Sequence, residues 1–201
     1  MKTEVYELYG KQIRIPIAES YKDCMTLIKS DRYRISGKVE STPAAIWHGL
    51  MSPESSLQFW LRLCQYKGWL TPLFKLLFFR SKRKANVLMF TSTKIGYGFN
   101  IGHKMCLGIS SRTIIGNNVN ISQFDNFGSN NKTAAIIGDN VYIGPHVCLI
   151  DDVKIGSNAT IGAGAVVTKD IPDNATAAGV PAKVLNYDNP GRFIKNPWPV
   201  E

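Results

Sequence analysis

An apolar residue recurs every six positions through the second half of this chain: Ile95, Ile101 and Leu107, then Ile115, Ile121 and Phe127, then Ile137, Ile143, Leu149, Ile155, Ile161 and Val167. Nine of these twelve are followed at once by glycine, where the usual glycine frequency of about 7% would place roughly one. A period of six belongs neither to a helix nor to an ordinary strand. It suits a coil of three short strands, each pointing one aliphatic side chain inward, with glycine where the chain turns. Stacked coils bury a continuous apolar column that no single coil could bury. At three hexads per coil, the twelve positions predict four coils. The phase slips by two residues between Leu107 and Ile115, and by four between Phe127 and Ile137 around "SNNKTA". Insertions in a solenoid become surface loops, often at a binding face.

Residues 1–86 carry no such repeat and are expected to be helical. "SYKDCMTLIKSDRYR" and "ESSLQFWLRLCQYKGWL" show helical apolar spacing, and Pro72 interrupts the run before "LFKLLFFRSK". The same stretch is broken by Arg62, Gln65, Lys67, Pro72 and Lys75, so it is not a membrane span. The start, "MKTEVYELYGKQIRI", lacks the apolar core of a signal peptide. The four cysteines show no C-x-x-C pair and no zinc-like spacing with histidine, so no metal and a reduced, cytoplasmic setting are expected. A net charge of +9, densest at Arg80, Lys82, Arg83 and Lys84, suits anionic partners. No recognition motif accompanies it, which argues against nucleic acid. The basic segment 75–84 is compatible with peripheral contact at the inner face of a membrane. Packing of its apolar face within the helical region, with the cations solvated, is the preferred reading.

The hexads, ending in "IGAGAVVTKDIPDNATAAGVPAKVL", resemble the left-handed β-helix acyltransferases of the hexapeptide-repeat superfamily. The likeness covers residues 87–185, and "AGVPAKV" after the last coil is its most specific signature. Within the group the chain most resembles the serine acetyltransferase-like branch, including capsular-polysaccharide O-acetyltransferases, whose helical N-terminal half is similar to "KSDRYR" followed by "FWLRLCQYKGWL". The resemblance implies a mostly β fold, a left-handed parallel β-helix of about four coils behind an α-helical N-terminal region. It also implies a homotrimer with active sites between subunits and acetyl-CoA as acyl donor. Residues 186–201 are expected to drape over a neighbouring subunit or to be mobile.

The resemblance makes His103, in "HKMCLGI", the general base. In register with the hexads, His103, Gln123, Pro145 and Ala163 should form one vertical file, about 14 Å over three strand spacings. That is the reach of a pantetheine arm. Pro145, Ala163, Gly164, Lys169, Gly179 and Lys183 are then the expected contacts for CoA, and Asp31, Gln123 and Lys132 those for the acceptor. Cys106 and Cys148 should share a slot two coils apart, too far for a disulfide.

Serine acetyltransferases pair this histidine with an aspartate one coil earlier, where this chain has Leu88. They place another directly before it, where this chain has Gly102. Their substrate-holding Arg-His loop corresponds to Lys132-Thr133, and only Asp31 of the four groups is retained. A saccharide hydroxyl, with no carboxylate or ammonium to clamp, fits this pattern better than serine. Serine O-acetylation, amino-sugar N-acetylation and a non-catalytic scaffold are the alternatives.

Overall fold

The computed structural model describes residues 1–200. Two strands, β1 (Lys2–Leu8) and β2 (Lys11–Ile17), pair antiparallel through the turn at Tyr9 and Gly10, whose φ angles are 49° and 74°. Positive φ at both central residues gives the turn whose twist matches a tight hairpin. The first 17 residues are therefore not part of the helical region expected over 1–86. Strand alternation puts Leu8, Ile13 and Ile15 on one face, which packs against Ile114 and Ile136. The helices follow: α1 (Tyr21–Ser36), α2 (Thr42–Met51), α3 (Pro53–Leu63) and α4 (Thr71–Lys84). Ser20 caps α1 by accepting from the Asp23 amide, and Gly37 ends it at φ 67°. Pro72 stands in the first turn of α4, where its missing N–H costs nothing.

From Lys94 onward the chain winds as a parallel β-helix of three sheets. The first sheet stacks Ile95, Ile115, Ile137 and Ile155, and the second stacks Ile101, Ile121, Ile143, Ile161 and Ala177. The third stacks Ile109, Phe127, Leu149 and Val167. All twelve hexad positions are buried, none more than 3% exposed. Eleven sit where the repeat places them. The exception is Leu107: Ile109, not Leu107, is the residue in register with Phe127. The two-residue slip therefore falls before Leu107, in the turn after Ile101, and not after it.

Each coil turns between the first and second sheets on a residue with positive φ: Gly98, Asn118, Asn140, Asn158 and Asn174. Asparagine tolerates this region because its short polar side chain bonds locally. Here the side-chain amides also bond up the stack, Asn140 to Asn158 at 3.2 Å and Asn158 to Asn174 at 3.0 Å. The C-terminal segment runs back along this corner. Gly191 donates to the Asn158 carbonyl, Trp198 exchanges two hydrogen bonds with Asn118, and the Lys195 carbonyl accepts from Arg34. Residues 186–200 thus strap their own chain.

Candidate active site

The second corner, between the second and third sheets, carries the candidate chemistry. Its ladder is read from three backbone bonds: Phe124 donates to the Met105 carbonyl, His146 to Gln123, and Gly164 to Pro145. The vertical file is therefore Met105, Gln123, Pro145 and Ala163. His103 stands outside it, in the two-residue insertion with Lys104. The Met105 amide closes a tight turn onto the His103 carbonyl at 2.7 Å, and His103 itself takes φ 48°. Its ring is exposed and has no hydrogen-bond partner among the described residues. The insertion is tied down at its far end, where Cys106 donates to the carbonyl of Ala85 just past α4.

Insertion thus lifts the histidine off the β-helix wall at the foot of the file. The wall is small only at its upper end, beyond Phe124 and His146. Ala163 and Gly164 are exposed, and a Cβ on Gly164 would meet nothing within 4 Å. Gly179 closes the top, accepting at its carbonyl from Val166. His103, Gln123, Pro145, Ala163, Gly164 and Gly179 therefore share one corner.

The other expected site residues lie elsewhere. Lys132 and Lys169 are exposed on the third corner, across the full width of the third sheet. Lys183 is the exception: it opens a strand, Lys183–Asn186, antiparallel to Thr176–Ala178 and in register with Ala178, beside Gly179. Asp31, expected at the acceptor, is buried in the joint between helices and β-helix. Its two oxygens take Arg62 Nε and Nη2, each at 2.8 Å, and Oδ1 also accepts the Phe99 amide. That carboxylate is committed to structure. Cys106 does not share a slot with Cys148: the latter pairs with Asn126, whereas Cys106 turns the corner at φ 51°.

Two features of this corner went unread in the sequence. Phe124 and His146, both exposed and one coil apart, stack with ring centroids 4.5 Å apart and 15° between planes. Both occupy the positive-φ slot, at 64° and 61°, so neither belongs to the inward pattern that hexads reveal. Asp125 lies just behind them, 1% exposed, in the inward slot that Leu107, Val147 and Ala165 fill in the other coils. It accepts from the Ser122 and Val147 amides, each at 2.9 Å. Burial nonetheless pushes its carboxyl up to about 7, these bonds opposing the shift. A polar residue breaking an inward position was the available signal.

Residues 134–169 match the bacterial transferase hexapeptide (six repeats) family. The chain is 39% identical over 109 residues to the mitochondrial serine acetyltransferase 3 of Arabidopsis thaliana, covering 52% of this chain and 28% of that protein. It is 57% identical over 53 residues to the galactoside O-acetyltransferase of Escherichia coli (strain K12), 26% of each chain. These curated relatives are thus matched over little more than a quarter of their length. Among solved structures, the soybean serine acetyltransferase apoenzyme superposes with a TM-score of 0.65 at 26% identity, covering 82% of this chain and 71% of that one. A serine acetyltransferase in complex with CoA gives a TM-score of 0.62 at 25% identity, covering 81% and 68%. The fold is the left-handed β-helix of the hexapeptide-repeat acyltransferases. The likeness to the soybean serine acetyltransferase structure takes in 82% of this chain, so it extends beyond the β-helix into the helical cap.

Proposed function

We propose that this chain transfers an acetyl group from acetyl-CoA to a saccharide hydroxyl, with His103 as general base, in capsule or other surface-glycan synthesis. The observation that carries the reading is the second corner: His103 stands exposed at the foot of a file that narrows to Pro145, Ala163 and Gly164 at its upper end. The similarity to a serine acetyltransferase bound to CoA supports acetyl-CoA as that donor. Imidazole would accept the acceptor hydroxyl proton as the oxygen attacks the thioester carbonyl. The tetrahedral oxyanion, stabilised by backbone N–H groups, would then collapse and expel the CoA thiolate, which takes the proton back from the imidazolium. No covalent enzyme intermediate is needed. The protein works as a homotrimer in the cytoplasm in this reading, a neighbouring subunit closing the groove.

A sugar acceptor draws support from the match to a galactoside O-acetyltransferase and from Lys132-Thr133 standing where the resembling serine enzymes carry Arg-His. Serine is the second reading, favoured by the serine acetyltransferases among the relatives. The test is thiol release from acetyl-CoA with L-serine and with a panel of sugars and capsule-type oligosaccharides, wild type against His103→Ala. Release with a glycan that disappears in the variant supports the proposal. Comparable release with serine reassigns the acceptor. Absence of acetyl-CoA binding would leave a scaffold.

A further inference from the structure

The helical cap leaves a broad apolar face uncovered. On α2, Trp47 and Met51 are exposed, and on α4 so are Leu73, Leu76 and Phe79, each between 48% and 61%. Trp69, just before α4, is 84% exposed. Both helices pack on α3, and the furrow between them is floored by Phe59, Trp60 and Leu63. The amphipathic stretch expected to pack inward does so on one side only, through Phe78. Large apolar side chains left exposed together in this way mark an interaction site.

The charge around it says what kind. Helix α4 carries Lys75, Arg80, Lys82, Arg83 and Lys84 and no acid, and α2 contains no acidic residue. Lys82 lies 5.7–5.9 Å from the rings of Phe78, Phe79 and Phe90, and Arg83 lies 5.5 Å from Phe79. The cations therefore rim the apolar face at one end. Helices α2 and α4 of a second copy would bring no carboxylate of their own to meet them, so like charge would oppose that pairing. Helix α4, 14 residues long, reaches about 21 Å, too short to span a bilayer. None of the helices among the described residues is long and apolar enough to cross one.

We infer that α2 and α4 form a docking face for the surface of an anionic lipid bilayer, apolar side chains in the acyl boundary and the basic rim on the headgroups. One end of the face, at Met51 and Lys84, lies near Lys104. A cleft of about 460 Å³ there is lined by Met51, Lys84 and Lys104, the last being the residue after His103. Docking would therefore bring the second corner beside the membrane, where an acceptor carried on an anionic lipid is presented. The docking itself does not depend on acyl transfer.

The experiment is co-sedimentation of the full chain with vesicles of phosphatidylcholine alone or mixed with phosphatidylglycerol, at low and high salt. Binding to the anionic vesicles is expected, at least tenfold stronger than to the neutral ones and weakened by salt. Leu73→Ser/Leu76→Ser should abolish it with the melting temperature unchanged, since both side chains are exposed. Lys75→Gln/Arg80→Gln/Arg83→Gln should weaken it by about fivefold per cation removed. Equal binding to both vesicle types, binding to neither, or indifference to the charge variant would overturn the proposal. A change of oligomeric state in Leu73→Ser/Leu76→Ser without lipid would assign the face to a second copy and overturn it too. No readout uses acyl transfer, so failure here and failure of the proposed activity are separate results.

Discussion

Arg62 and Asp31 form a two-pronged ion pair, Nε to Oδ2 and Nη2 to Oδ1, both at 2.8 Å, with side-chain exposures of 1% and 7%. The guanidinium also donates to the carbonyls of Ile95 and Gly96, so one buried pair joins α1, α3 and the first coil. Removing one partner strands a buried charge, which typically costs about 3–5 kcal/mol. Asp31→Ala is therefore expected to lower unfolding stability by that amount. A double variant, Asp31→Leu/Arg62→Met, should recover much of the loss. Denaturant unfolding checks both, and a stability loss below about 1 kcal/mol in the single variant would show that solvent reaches the pair.

His103 is exposed and takes no part in the core, so His103→Ala should melt like the wild type. Loss of a general base is expected to lower kcat by about 10²- to 10⁴-fold with KM for acetyl-CoA little changed. Steady-state kinetics with the identified acceptor make the check. A full-rate variant would remove the histidine from the chemistry.

Ala163 lines the open part of the file without supporting it. Ala163→Trp should fill that space and raise KM for acetyl-CoA about tenfold or more, a loss of ~1.4 kcal/mol of binding. Its circular dichroism spectrum should match the wild type. An unchanged KM would place the donor on another corner.

Asp125 makes stability depend on pH in the direction opposite to the usual carboxylate. In the native state it holds its proton up to about 7, while its ordinary value is 3.8. Between those values the native chain binds more protons than the unfolded one, so stability falls as pH rises through that window and levels off above it. The melting temperature of Asp125→Asn should vary less between about pH 4 and 7 than that of the wild type. Parallel curves for the two proteins would mean that the buried carboxyl is already ionised throughout.

Much of this was legible in one dimension because burial follows a period. The twelve hexad positions are all in the core, and the helices around "CMTLIKSDRYR" and "SSLQFWLRL" answer to helical spacing. The hairpin was equally written in "TEVYELYGKQIRIPI", with strand alternation about a Tyr-Gly turn, but its weight is small beside the helical run that follows. Site residues fared by their backbone. Gln123, Pro145 and Ala163 stack because ladder spacing stacks them. Lys132 and Asp31 were placed by similarity and Lys169 by its nearness to the last coil, and the fold sets these lysines on another corner and the aspartate in a buried joint.

By itself the sequence determined the coil: six-residue spacing with glycine at the turns admits few ways to bury so many aliphatic side chains. It did not determine where the two extra residues go. Leu107 and Ile109 alternate about Gly108, both fit an inward slot, and both are buried, at 2% and 1%. Hydrophobicity does not choose between them. The choice belongs to the hydrogen-bond ladder, which sets Gly108 and Ile109 against Asn126 and Phe127 and so pushes the surplus residues into the preceding turn. That decision, made only by strands from different coils meeting, is what takes His103 out of the wall and leaves it exposed at the foot of the groove.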